Sequence, residues 1–141
     1  MYQTETLGPD EYGDLADDGT MPSNVEALRK SVVGRRIVAT SREEIKDKWG
    51  GSDWGLVITL DDGTQVQLKD TSNCCAFTEM EAFMLHPERV DHIILGVGTT
   101  GSYTRWHIYA DLGDVLELTV GWSPGNPFYY GYGFDIDVIP A

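Results

Sequence analysis

The stretch from Gly55 to Cys75, GLVITLDDGTQVQLKDTSNCC, constrains the chain more than any other. Leu56, Ile58 and Leu60 alternate with Val57 and Thr59, and Val66 and Leu68 alternate with Gln65, Gln67 and Lys69. A period of two sends side chains to opposite faces of a pleated strand. Between the runs, Asp61-Asp62-Gly63 forms a short loop in which Gly63 accepts the positive φ that such loops demand. The pattern predicts a hairpin whose first strand is buried on both faces and whose second has one wet face. Asp70-Thr71-Ser72-Asn73 follow, side chains that bond their own backbone, so a turn is expected just before Cys74-Cys75.

At 141 residues the chain is expected to be one domain with a core that needs no covalent staple. Its net charge of -13 is unevenly placed: residues 1–20 carry six acids and no base, and residues 106–141 carry five acids and no base. The ten Lys and Arg all fall in residues 21–105, against twelve acids. Acidic ends repel phosphate backbones and anionic lipid, which argues against direct nucleic-acid or membrane binding. The bland account is that the charge keeps the protein soluble. Two adjacent cysteines do not make a disulfide scaffold, no apolar run approaches the roughly 18 residues of a membrane span, and no signal peptide is evident, so a reducing cytoplasm is expected.

Residues 1–22 read as an acidic N-terminal tail and residues 23–141 as a single α+β domain. Ser23-Asn24-Val25-Glu26 has the capping-box pattern, Val25, Leu28 and Val32 follow at helical spacing, and Gly34 stands where a helix-ending glycine belongs. A helix is predicted over 23–32, a strand over 35–40, and a charged loop holding Trp49 and Trp54 over 41–54. Thr78-x-x-Glu81 is a second capping box, predicting a short helix ended by His86-Pro87. Val90 to Val97 reads as a buried strand, and Tyr103–Ala110, Val115–Trp122 and Phe128–Ile139 as alternating strands. The expected fold class is α+β: mostly antiparallel, one twisted sheet or partly closed barrel of about seven strands with two short helices.

Gly96-Val97-Gly98-Thr99-Thr100-Gly101 matches the dinucleotide fingerprint, but Ser102 onward alternates like a strand instead of opening a helix. The glycines therefore predict a hairpin, and no cofactor is expected. Cys74 and Cys75, with Asp70 nearby, are a secondary candidate site; a nucleophile needs a base and a zinc site needs four ligands. His86, His92 and His107 do not stand at ligand spacing from one another, His107 is placed like a surface histidine, and no metal is expected. The competing account packs one cysteine as a small hydrophobe and leaves the other in a turn. The first candidate is aromatic: Phe128, Tyr129, Tyr130 and Tyr132 follow Trp122 through a Pro- and Gly-rich loop. Tyr and Trp give large contact area at low entropic cost, so the cluster is read either as sheet packing or as a recognition surface. No catalytic residue is assigned, and the chain is not expected to be an enzyme.

LRKSVVGRRIVATS, the LDDG hairpin, the Asp-x-x-x-Cys-Cys step and the closing Asn-Pro-Phe-Tyr-Tyr-Gly together resemble a family of small uncharacterised actinobacteriophage proteins. The resemblance spans about residues 28–138 and implies a phage origin and a shared fold, with no activity attached. Two departures stand out: Ala76 occupies the place where an acid usually follows the cysteines, and Pro127-Phe128 widen the last turn. The expected role is a non-enzymatic phage accessory protein in the host cytoplasm that binds a host or viral protein, with homo-oligomerisation open. The alternatives are an acidic nucleic-acid mimic, a virion-associated capsid protein, and a small-ligand binder or enzyme around the cysteine pair.

Overall fold

In the computed structural model, which describes residues 20–46, 51–72, 77–101, 103–123 and 133–141, the predicted hairpin lies in the first of two antiparallel sheets. That sheet runs β1 (Ile37–Lys46), β2 (Ser52–Leu60), β3 (Gln65–Lys69), β9 (Asp135–Ile139), in that spatial order. Leu56 pairs with Leu68 and Ile58 with Val66, as the alternation requires. Gly63 takes φ 86° in the turn. Arg35 and Arg36 pair with Asp62 and Asp61, so the turn carboxylates are tied to the chain entering β1. Leu56, Val57 and Ile58 are buried in succession, which fits a strand covered on both faces.

The second sheet contains β4 (Thr71–Ser72), β5 (Phe77–Leu85), β8 (Gly113–Ser123), β7 (Arg105–Ala110) and β6 (Gly96–Thr100), in that order. The chain first passes from one sheet to the other at a single residue, Asp70, which separates β3 from β4, and it returns between β8 and β9. Its backbone N–H donates to Trp54 in β2 and its carboxylate accepts from Met80 N–H in β5, so one residue stitches the two sheets together. Leu56, Ile58, Leu60, Val66 and Leu68 from the first sheet share one continuous core with Met80, Trp106, Ile108, Leu116, Leu118 and Val120 from the second.

One α-helix, α1 (Thr20–Val32), adds Met21, Leu28 and Val32 to that core and lies against β6 and β9. It begins three residues before the predicted start, so Ser23 is inside the helix and the capping box does not form. Pro22 falls in the first turn, where its missing N–H leaves no bond unmade. Glu26 pairs with Arg29 instead. Asn24 grips the backbone of Phe134 from both sides, donating to its carbonyl at 2.8 Å and accepting its N–H at 3.0 Å. Asn24→Ala is expected to cost about 1–3 kcal/mol in urea denaturation, since two backbone groups lose partners at once. Gly34 ends the helix at φ 85°, as predicted.

The architecture is mostly β, with nine strands, two sheets and one α-helix among the described residues, and it is not a closed barrel. Three expectations are corrected. The predicted second helix is β5: Thr78 and Met80 face the core, a bulge between Met80 and Ala82 adds a residue, and Phe83 and Leu85 return to that face. The resulting 2-3-2 spacing of core positions imitates a helical repeat. The predicted loop over 41–54 is a hairpin arm, because β1 continues to Lys46 and β2 begins at Ser52. Both faces of that arm are wet, which erased the alternation. The predicted strand from Val90 is instead a 3-10 turn at Pro87–Arg89 and an irregular run to Leu95, with Ile93 and Leu95 exposed and only Ile94 fully buried. Ile94 exchanges backbone bonds with Gly34 and Arg35, not with a sheet. The glycines over 96–101 make the predicted hairpin, β6 to β7.

Candidate functional site

The sequence candidates fall unevenly on the structure. Phe128, Tyr129, Tyr130 and Tyr132 lie outside the described residues, as do Cys74, Cys75, Trp49 and the tail over 1–19. Trp122 is described and buried, with its ring edge-to-face on Tyr103 at 6.0 Å, so it belongs to the packing. Asp70 is the stitch between the sheets.

The places where the candidate segments leave the fold converge. Ser72 pairs with Phe77 across residues 73–76, and Phe77 pairs with Ser123, the last residue before 124–132. The far end of that segment is held at the same spot: Gly133 N–H donates to Thr78 Oγ1 at 2.6 Å, and Thr71 Oγ1 donates to the Gly133 carbonyl at 2.6 Å. The cysteine segment and the aromatic segment therefore start and end at one corner of the second sheet. Phe77 stands 38% exposed there. Trp54, 53% exposed, is bonded through its carbonyl to Asp70 and lies under the Arg42 guanidinium, 6.0 Å from the ring centroid.

Burial raises the Asp70 carboxyl above the usual aspartate range, opposed in part by the Met80 N–H bond. A carboxyl raised on folding stabilises the fold below its unfolded pKa, and that contribution is lost as pH climbs through the folded value. Asp70→Asn keeps an acceptor for Met80 and removes the ionisation. It is expected to gain stability relative to wild type as pH rises from 4 to 7, read from denaturation midpoints at each pH.

A second cluster was not expected from the sequence. On the outer face of the second sheet, His107 Nδ1 lies 2.9 Å from Asp114 Oδ2, and the ligand atoms of His107, Asp114 and Glu117 lie within 4.8 Å of one another. His107 is 9% exposed, a correction to its expected surface placement. Glu117 pairs directly across from His107 in β7–β8, and a bulge between Ile108 and Tyr109 sets Asp114 opposite Tyr109. Without that extra residue, Val115 would face outward and Asp114 inward; with it, Val115 is buried and Asp114 joins Glu117 on the outer face. Thr100 Oγ1 meets His107 Nε2 at 2.8 Å, and His86 Nε2 meets Glu117 Oε2 at 2.6 Å. Arg89 donates to the Asp114 carbonyl at 3.0 Å. Gly98 faces His107 across the β6–β7 pair and sets no side chain against its ring. At Gly96 an added Cβ would collide with the Tyr109 phenol, so this glycine of the apparent fingerprint makes room for a side chain of β7. Placing the turn between β7 and β8 would not have been enough: continued without a bulge, the Ala110–Gly113 and Tyr109–Asp114 pairs set His107 opposite Leu116, and the extra residue in β8 is what brings Glu117 across from His107.

Residues 30–136 match a family described as a domain of unknown function, DUF7448. The chain belongs to that family. The DUF7448 match runs from the last turn of α1 into β9, so it takes in the converging corner and the histidine cluster. It agrees with the resemblance to an uncharacterised family, which covered nearly the same span. No curated protein and no solved structure matches the chain. Among the described residues, no helix is long and apolar enough to cross a membrane.

Proposed function

We propose that this DUF7448 protein is a non-enzymatic binding module, an accessory protein of a phage that engages a host or viral protein in the infected cytoplasm. The observation that carries it is the corner: Ser123 and Gly133, the described residues that flank the segment holding Phe128, Tyr129, Tyr130 and Tyr132, are both held beside β5 where Phe77 is exposed, and exposed Trp54 bonds through its carbonyl to Asp70, next to β4. Aromatic side chains with few rotatable bonds make interface anchors, and Arg at their margin is the commonest charged companion. The acidic ends of the chain would favour a partner with a basic surface and speed its encounter. The phage origin rests on the motif resemblance and the cytoplasmic setting on the count and spacing of the two cysteines.

Affinity capture from infected and uninfected cells tests the reading, with wild type beside Tyr129→Ala/Tyr130→Ala, Phe77→Ser and a chain lacking residues 1–19. A partner retained by wild type and lost at least tenfold with the aromatic variants supports the corner. Capture unchanged by every aromatic variant, or no partner in any lane, overturns it.

A further inference from the structure

We propose that His107, Asp114 and Glu117 bind one first-row divalent transition-metal ion, such as Mn2+ or Zn2+, on the outer face of the second sheet. The donor set is one imidazole nitrogen and two carboxylates within 4.8 Å. Adjacent ligand atoms on an ion with bonds of about 2.0–2.2 Å stand about 3–3.5 Å apart, so side-chain adjustment alone closes the set. A nitrogen in the set favours transition metals over Ca2+ or Mg2+, which take oxygen ligands.

Three features separate this cluster from a chance meeting of polar side chains. The β8 bulge falls between Asp114 and Glu117 and so sets Asp114 on the same face as His107 and Glu117. Bulges serve this purpose where a side chain must be re-aimed. The groups around the three are those that orient metal ligands. Thr100 holds the far nitrogen of His107, and its hydroxyl can accept the Nε2 proton when Nδ1 is bound to the ion. His86 Nε2 meets Oε2 of Glu117, a contact of the kind that orients a ligating carboxylate. Finally, the side chains of Asp114 and Glu117 are only 12% and 26% exposed. Two carboxylates drawn together at such burial favour positive charge close by, and a divalent ion would add it beside the His86, His107 and Arg89 contacts already present. The more open Glu117 side leaves positions that water would complete.

The test uses the full chain stripped with a chelator, titrated calorimetrically with MnCl2 and with ZnCl2. Co2+ absorption bands serve as a readout of coordination geometry. Cys74→Ser/Cys75→Ser is run in parallel, because thiolates are the competing ligands for zinc. One ion per chain is expected in wild type and in the cysteine variant, weakened at least tenfold by Glu117→Gln and by Asp114→Asn and abolished by His107→Gln. Thr100→Val should weaken binding tenfold or more while leaving the ligands in place. Far-UV circular dichroism without metal checks that each variant folds. If His107→Gln does not fold, Glu117→Gln, the more exposed of the two carboxylates, still decides. The proposal is overturned if wild type binds neither ion, if the carboxylate variants bind as wild type does, or if binding disappears only with the cysteines.

Discussion

Trp106→Ala is expected to lower the free energy of unfolding by about 3–5 kcal/mol, enough to leave the chain marginal or unfolded at 37 °C. Trp106 is fully buried and is among the largest of the fully buried side chains. Its ring meets Phe134 edge-to-face at a centroid distance of 5.3 Å, so it joins β7 to the approach of β9 and hence the second sheet to the first. Its indole N–H donates to the Tyr103 carbonyl at 2.8 Å. Tyr103 is held at φ 63°, a conformation that costs a bulky side chain energy and needs support from its surroundings. Truncation therefore opens a cavity, removes an aromatic contact and releases a strained turn together. Trp106→Phe separates these effects: it keeps most of the volume, loses the indole donor, and is expected to cost about 1–2 kcal/mol. Chemical denaturation of the three proteins checks both values. Equal losses for Ala and Phe would show that the hydrogen bond, not the packing, dominates.

Gly55→Ala is expected to cost about 1–3 kcal/mol although it adds a single methyl group. A Cβ at Gly55 would stand 2.5 Å from the Leu68 carbonyl oxygen and 2.6 Å from Ile45 Cδ1. The isoleucine can rotate away, but the Leu68 carbonyl belongs to backbone held in the β2–β3 pairing. The strand must shift or lose pairing where β1, β2 and β3 are in register. Gly34→Ala is the instructive contrast, since nothing lies within 4 Å of its added Cβ and only its φ of 85° resists the change. About 1–2 kcal/mol is expected there from backbone strain alone. Denaturation midpoints compare the two. A Gly55→Ala protein as stable as wild type would mean that β3 yields more readily than its pairing implies.

The β2–β3 hairpin, the helix stop at Gly34, the β6–β7 hairpin and the strands around Trp106 and Leu118 were legible because each is set within a few neighbouring residues. Alternation, a turn glycine or a helix-ending glycine carries its own physical consequence wherever it occurs. β5 was not legible, because one bulge residue changes the spacing of its core positions from that of a strand to that of a helix. Whether a bulge forms depends on the register of β8, forty residues away. The irregular run over 90–95 was misread for the same kind of reason: apolar side chains imply burial, yet burial of Ile94 is met by the helix exit at Gly34 instead of by a ladder. The histidine cluster lies furthest from local inference. His107, Asp114 and Glu117 are ordinary polar residues of two strands until the β8 bulge turns Asp114 toward the face that already carries the other two. Local chemistry decides which element a segment forms; which face a side chain joins is decided by the partner strand, and only the assembled sheet supplies it.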